Sequence, residues 1–308
     1  MDWDAVSYYA YRLAGALAPR VPPAIGYRIA EQLGSIVYRL SPLRANVHDN
    51  ISHVIGEPTG SRCVQRLARQ IFRNQCKNYF DLLRVAGLTA DDVRKAVSGV
   101  SGVEHLDHAL TRGRGVILAS GHCGNIDLAG QSLALWGYNV LGVAEHLRPE
   151  RLFRYLRLAR ESHGLRFMPA DGSLRSLFRA LQANEIVGLA LDRNVTNAGR
   201  VVAFFRQPAR LPDGYLRLAL HTGAALILVF CRRLPDNTFV ITIEPEAELE
   251  RSDDLERDVG ANMPSVLSIL ESYLARHPDQ WVYFQPVWLP AQAAASETVV
   301  SSTARLGS

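Results

Sequence analysis

The segment from Gly115 to Asp127 holds the residue types that general acid–base chemistry needs. It reads Gly-Val-Ile-Leu-Ala-Ser and then Gly-His-Cys-Gly-Asn-Ile-Asp, which predicts a buried strand, a glycine-rich turn and the start of a helix. His122 lies just beyond the strand's carboxyl end, where open α/β sheets bind ligands. Asp127 falls in the first turn of the helix, near enough to orient the imidazole and stabilise the imidazolium. The segment therefore predicts a general base at His122 with an acidic partner at Asp127.

Two other kinds of site are compatible with the same stretch but are less favoured. Cys123 could be a thiol nucleophile, yet neighbouring residues of a turn usually point apart, which favours a packing role. His105 and His108 stand three residues apart, as metal ligands can, but no second pair follows at ligand spacing. The cysteines show no CxxC spacing, which indicates reduced thiols. We expect no metal site.

Charged residues near the ends of later strands are the next candidates. Glu145 follows an apolar strand, a position typical of a functional carboxylate. Asp192 and Arg193 end another strand and either line the site or form an ordinary ion pair. Arg160 closes a helix whose arginines suit a phosphate-bearing donor, although a solvated face explains most of them. The other arginines of this run are Arg148, Arg151, Arg154 and Arg157.

The elements that position these residues follow an alternating pattern from Gly113 onward. Short apolar runs predict strands at 115–120, 139–144, 165–168, 186–191, 201–205, 225–231 and 239–244. Helical patterns are predicted at 127–136, 150–163, 173–183, 214–222 and 256–276. This alternation predicts an α/β fold, with a central, mostly parallel or mixed sheet flanked by helices on both faces. No linker divides the chain, so we expect one domain over 1–290 and a disordered tail at 291–308.

The first 45 residues predict two amphipathic helices, and a third helix is predicted at about 62–84. Ile25, Ile29, Leu33, Ile36 and Leu40 form an apolar stripe on the second, and arginines are scattered along both. Two interpretations stay open: the stripe lies in a membrane interface, or it packs on the core.

Composition excludes several classes of protein. The chain has 308 residues, 48% of them hydrophobic, and its mean hydropathy is −0.01, as in ordinary globular proteins. The longest uncharged run, 218–231, is too short to span a bilayer, and the acidic start is not that of a signal peptide. All but two of the cationic residues are arginines, which suit an anionic partner. The net charge is +4, but the sequence contains no nucleic-acid-binding motif, so we expect no nucleic-acid partner.

The string His122-x-Gly124-Asn125-x-Asp127 resembles the signature of the bacterial lipid A lauroyl/myristoyl acyltransferases, and the chain most resembles the phosphatidylinositol mannoside branch of that family. The likeness covers roughly residues 5 to 290, nearly the whole chain. It continues through Val143-Ala-Glu145, Arg160, Leu191-Asp192-Arg193, Phe204-Phe205-x-x-Pro208-Ala-Arg210 and His277-Pro-Asp-x-Trp281.

The resemblance implies transfer of a fatty acyl group to a hydroxyl of a lipid-linked sugar. The donor is acyl-CoA or an acyl carrier protein, acting as co-substrate, with no further cofactor and no covalent enzyme intermediate. His122 is then the base and Asp127 its orienter. The implied partners are the donor, a lipid acceptor and a membrane surface, with the enzyme peripheral on the cytoplasmic face of the inner membrane. Implied substrate-binding residues are Gly124, Asn125, Glu145, Arg160, Asp192, Arg193 and Arg210.

Two departures from the family pattern leave the acceptor open. Relatives often read Gly-x-Glu-Val-x-Phe-Phe-Gly, whereas this chain has Val201 in place of the acid and Arg206 in place of the last glycine. Two alternative functions also remain: a thioesterase that uses the same His–Asp pair with water, and a lipid-binding protein without turnover.

Overall fold

A seven-stranded sheet runs through the centre of the molecule in the computed structural model, which describes residues 3–146, 148–193 and 199–289. The strands of this sheet are β1 (Val97–Ser101), β2 (Val116–Ser120), β3 (Val140–Ala144), β4 (Arg166–Pro169), β5 (Ile186–Ala190), β8 (Ala225–Arg233) and β9 (Phe239–Glu246). Their order across the sheet is β1-β9-β8-β2-β5-β3-β4. Strands β8, β2, β5, β3 and β4 are parallel, while β9 pairs antiparallel with β8 and parallel with β1.

Helices cover both faces of this sheet. They are α1 (Trp3–Leu17), α2 (Pro23–Leu40), α3 (Arg44–Ile55), α4 (Arg62–Val85), α5 (Ala90–Ala96), α6 (Val103–Leu110), α7 (Ile126–Leu135), α8 (Glu150–Arg160), α9 (Leu174–Gln182), α10 (Gly214–Thr222) and α11 (Leu255–Arg276). All five residues of β2 are buried, because alternate side chains enter two separate cores. Ile117 packs with residues of α9, α10 and α11, and Leu118 packs with residues of α5, α6 and α7. The expected α/β architecture is confirmed.

Helix α2 packs closely on α4 through its small residues. A Cβ added at Gly34 would lie 2.5 Å from the Cα of Arg73, so only glycine permits this approach of the two backbones. The opposite side of α2 carries the apolar stripe predicted from the sequence. Its members Ile25, Ile29 and Leu33 are each about half exposed, so this stripe does not pack on the core.

A separate two-stranded hairpin follows residues 194–198. It joins β6 (Arg200–Phe204) to β7 (Gln207–Leu211), and its two turn residues, Phe205 and Arg206, have φ of 46° and 63°. Positive φ values are costly for residues that carry a Cβ. The backbone N–H of Phe205 donates to Glu271 of α11 at 2.5 Å, which ties the turn to that helix.

Five elements were not among those predicted from the sequence: β1, β7, α3, α5 and α6. Strand β1 has only Val97 and Val100 as large apolar residues and lies at the sheet edge, so it lacks a buried-strand pattern. Strand β7 contains Pro208 and belongs to a two-stranded sheet with β6, outside the central sheet, where a proline is tolerated. The expected tail at 291–308 lies outside the described residues, and the single domain stays a prediction.

Candidate active site

The turn at residues 121–125, called here the His122 turn, leaves the sheet at the carboxyl end of the central strand β2. Gly124 adopts φ +61°, and a Cβ there would lie 1.8 Å from the carbonyl oxygen of Cys231. Its N–H donates to the carbonyl of Gln280 at 2.8 Å. Gly124 is therefore required by the path of the backbone; its predicted contact with substrate stays a prediction.

The imidazole of His122 is held by Asp192, which follows the neighbouring strand β5. His122 Nδ1 lies 2.7 Å from Asp192 Oδ1, and the backbone N–H of His122 donates to Oδ2 at 2.7 Å. An ionised carboxylate only accepts hydrogen bonds, so in the neutral ring Nδ1 carries the proton and Nε2 keeps its lone pair. The His122 side chain is 39% exposed while that of Asp192 is 0% exposed, so a substrate can reach the base but not its partner.

Electrostatics in this pair favour a charged imidazole. Burial lowers the pKa of His122, but the charge of Asp192 and the hydrogen bond between them outweigh it, so the pKa lies above the ordinary value of 6.5. Burial likewise acts to raise the pKa of Asp192, and the partner His122 keeps that pKa below its usual range. The pair can therefore accept a proton at Nε2 and stabilise the resulting positive charge.

A carboxyl-terminal segment closes over the pair. The indole Nε1–H of Trp281 donates to Asp192 Oδ2 at 2.8 Å, and the N–H of Val282 donates to the carbonyl of His122 at 2.8 Å. Tyr283 stacks on Trp281 and lies 5.7 Å from the His122 ring, centroid to centroid. The family motif includes Trp281, but no role was predicted for it. A signal was present in the sequence: Trp281 and Tyr283 follow the last helix, and a buried indole N–H needs an acceptor.

Asp127 occupies a different position from the one expected of an imidazole partner. Its Oδ2 accepts from Arg160 Nε at 2.9 Å, and the guanidinium of Arg160 lies over the ring of Phe167, 5.5 Å from its centroid. The hydrogen bonds of the described residues do not join Asp127 to the His122 ring; its charge only adds to those that raise the pKa of His122. The pair Asp127–Arg160 links α7 to α8, so any orienting role of Asp127 stays a prediction.

Glu145 and Arg193 meet beside the His122 turn. Glu145 follows β3, Arg193 follows Asp192, and Arg193 Nη2 donates to Glu145 Oε2. Burial and the negative charges of Asp192 and Glu145 raise the pKa of Tyr283 to about 12, so its hydroxyl keeps its proton. Arg193 therefore places a positive charge near the imidazole, Glu145 pairs with Arg193, and the Tyr283 ring beside the imidazole carries a neutral hydroxyl.

The remaining predicted residues occupy supporting positions. Asn125 caps α7, its Oδ1 accepting from the N–H of Leu128 at 3.1 Å. Arg210 lies on β7 and donates to the carbonyl of Gly199 at the base of the hairpin, 2.9 Å away. The structure therefore brings Asp192, Arg193 and Glu145 together near His122, and it places Arg210 on a separate element.

Nucleophilic and metal chemistry find no support in the described residues. Cys123 is buried, and burial raises the pKa of its thiol well above the ordinary value, which disfavours a thiolate. Within the described ranges no three His, Cys, Asp or Glu side chains form a group that could hold a metal ion.

Comparisons with known proteins agree with the motif resemblance. A sequence model of the family described as bacterial lipid A biosynthesis acyltransferase matches residues 4–290. The phosphatidylinositol mannoside acyltransferases of two Mycobacterium tuberculosis strains, CDC 1551 and H37Rv, are 31% identical over 290 residues, 90% of this chain and 87% of theirs. The protein of the same name from Mycolicibacterium smegmatis is 30% identical over 244 residues, covering 78% of each chain. The predicted resemblance is confirmed.

Proposed function

Because the chain belongs to the bacterial lipid A biosynthesis acyltransferase family, it is an acyltransferase, and we propose that it moves a fatty acyl chain from a thioester donor to a hydroxyl of a glycolipid. The observation that carries the proposal is the exposed His122 ring held by the buried carboxylate of Asp192. The acceptor class follows from the relatives, which are named for phosphatidylinositol mannosides.

The proposed reaction uses His122 Nε2 as the general base. Nε2 takes the proton of the acceptor hydroxyl while that oxygen attacks the thioester carbonyl, and Asp192 stabilises the imidazolium. The tetrahedral intermediate then expels the thiolate, which receives the proton from His122. No enzyme group forms a covalent bond with the acyl chain, in keeping with the buried, protonated thiol of Cys123.

The donor is proposed to approach from the side of Arg193 and helix α8. That helix carries arginines on several faces, among them Arg154 and Arg157, and an arginine fork binds phosphate bidentately. Acyl-CoA carries such phosphates, and so does the phosphopantetheine arm of an acyl carrier protein. The proposal therefore includes both donors, and parallel assays with acyl-CoA and with acyl carrier protein identify the one that the enzyme prefers.

The proposed membrane contact rests on the outer face of α1 and α2. Leu13, Leu17, Ile25, Ile29 and Leu33 are all exposed by half or more, whereas large apolar side chains are normally buried. Arg12, Arg20, Arg28 and Arg39 lie on the same two helices and suit anionic head groups. Among the described residues, no helix is long and apolar enough to cross a bilayer. We infer a peripheral enzyme on the cytoplasmic face of the inner membrane.

The test is CoA release from palmitoyl-CoA, with and without extracted bacterial lipids, with products identified by mass spectrometry. We expect lipids to stimulate release, one lipid to gain an acyl mass, and His122→Ala to lower the rate by about 10³-fold or more. Palmitoyl carrier protein is assayed in parallel to identify the preferred donor. Lipid-independent release of free fatty acid would show a thioesterase instead, and lipid binding without release from either donor would show a binding protein.

A further inference from the structure

A second, largely buried polar cluster contacts the His122 turn at Asn125 and at the carbonyl of Gly124. It consists of Tyr27 of α2, Asn78 and Asp81 of α4, Asn125 of the turn and Arg233 at the end of β8, and is called here the Asp81 cluster. The sequence reading assigned nothing to four of these five residues.

Asp81 stands at the centre of the cluster and accepts three hydrogen bonds. The Tyr27 hydroxyl donates to Oδ1 at 2.6 Å, while Asn125 Nδ2 and Arg233 Nη2 donate to Oδ2 at 3.1 and 2.5 Å. Because the other end of the Asn125 side chain caps α7, Asp81 fixes the direction in which that helix leaves the turn.

The backbone of the turn is held from the same side. Asn78 Nδ2 donates to the carbonyl of Gly124 at 2.6 Å, and Asn78 Oδ1 accepts from Arg233 Nη2 at 2.7 Å. The N–H of Arg233 in turn donates to Gln280, whose carbonyl accepts from Gly124. Every contact of the cluster with the turn therefore falls within three residues of His122.

The energetics of Arg233 argue for a positional role. Its side chain is 3% exposed, and in the described part of the chain Nε and Nη1 have no hydrogen-bond partner. The guanidinium instead lies 4.4 Å from the Phe239 ring centroid. A buried ion pair with unsatisfied donors adds little net stability compared with apolar residues of similar size. We therefore assign the Asp81–Arg233 ion pair a role in fixing the position of the residues that it contacts.

We propose that Asp81 is a positioning residue for His122, and that it aligns the His122 turn by fixing Asn125 and Arg233 against helices α2 and α4. This inference rests on the proposed acyltransferase function, in which the position of Nε2 relative to the thioester sets kcat. A displacement of about 1 Å at a reacting group can cost about 10²-fold in rate.

The matched control is an ion pair that joins α4 to α2, as the hydrogen bond between Asp81 and Tyr27 does. Lys77 Nζ of α4 lies 2.6 Å from Glu31 of α2, and the Lys77 side chain is 5% exposed, yet neither residue contacts the His122 turn among the described hydrogen bonds and ion pairs. Lys77→Met therefore removes a buried charge at the α2–α4 interface without touching the site.

The experiment compares Asp81→Asn, Tyr27→Phe and Lys77→Met in the full chain, measuring unfolding midpoints together with kcat and KM for palmitoyl-CoA. We expect Asp81→Asn to lower kcat about ten- to a hundredfold with KM within about twofold, Tyr27→Phe to lower kcat less, and Lys77→Met to leave kcat unchanged. Equal losses in Asp81→Asn and Lys77→Met, or a rise confined to KM, would overturn the proposal. If Asp81→Asn does not fold, the kcat of Tyr27→Phe is compared with that of Lys77→Met, and equal values overturn the proposal.

If the proposed acyltransferase function is wrong, the wild-type protein itself releases no CoA, and this result differs from a loss that is confined to the Asp81 variant. In that case positioning is read from an NMR titration of the His122 ring, which faces Asp192, Arg193 and Asp127. A displaced turn weakens the bond to Asp192, so Asp81→Asn would lower the ring's titration midpoint while Lys77→Met would not. Identical midpoints in both variants would refute the positioning role.

Discussion

Asp192 supplies the charge that would allow His122 to act as the proposed general base, because the carboxylate is buried, ionised and bonded to Nδ1. The two residues are far apart in sequence and meet only because β2 and β5 are neighbours in the sheet. At the scale of single residues, the site depends on this contact more than on the local spacing between His122 and Asp127.

The protonation state of His122 predicts a pH dependence. In the proposed mechanism His122 acts in its neutral form. Its pKa lies above 6.5, so kcat/KM should rise with pH and level off only above that value. Asp192→Asn removes the charge that raises the pKa and leaves the burial that lowers it. In the pH–rate profile of this variant we expect the acid limb to move to lower pH and the plateau of kcat/KM to fall by about 10²-fold or more. An acid limb at the same pH as in the wild type would contradict the assignment of Asp192 as the partner of His122.

Asp127 and Arg160 are expected to act as one unit. Their ion pair is partly buried and joins the first turn of α7 to the end of α8. We predict that Asp127→Asn and Arg160→Gln each reduce kcat, and that the double variant is no worse than the stronger single one. A double-mutant cycle on kcat tests this prediction. Strictly additive losses would instead indicate separate roles, with Asp127 acting on His122 directly.

At the scale of elements, the β6–β7 hairpin carries backbone strain in its turn. Arg206, the second residue of that turn, has φ 63°. Glycine adopts this conformation without steric cost, although it also gains freedom in the unfolded chain. We predict that Arg206→Gly raises the free energy of unfolding by roughly 1 kcal/mol while activity stays within about twofold. Urea denaturation of both proteins measures the difference, and Gly137→Ala at φ 97° serves as the opposite, destabilising control.

The sequence predicted the sheet well where strands are buried, because β2, β5 and β8 read as continuous apolar runs. The strand–turn–helix pattern also predicted His122 just beyond the carboxyl end of a strand, where the structure has it. It could not identify the partner of His122, since Asp127 is close in sequence whereas Asp192 is close only after β2 and β5 pair. Arg233 and Asp81 were missed for the same reason: each lies alone in an unremarkable stretch, and only the packing of α4 against β8 brings them together.

At the scale of the whole molecule, the exposed stripe on α1 and α2 predicts how the enzyme meets its acceptor. A double charge substitution, Ile29→Asp with Leu33→Asp, should weaken liposome binding at least about tenfold, because both side chains are half exposed and would be buried in lipid. Folding and hydrolysis of soluble thioesters should stay near wild type. Leu174→Asp on α9, at a side chain 68% exposed, is the control that leaves liposome binding unchanged. Unaltered binding by the double variant would exclude this face as the membrane contact.

The segment from Gln280 to Val282 has a consequence for local unfolding. Gln280, Trp281 and Val282 hold Gly124, Asp192 and His122 through one hydrogen bond each. The pairing of β2 with β5 and β8 does not involve this segment. A local opening of the segment alone would therefore release all three hydrogen bonds at the candidate site while the sheet stays paired.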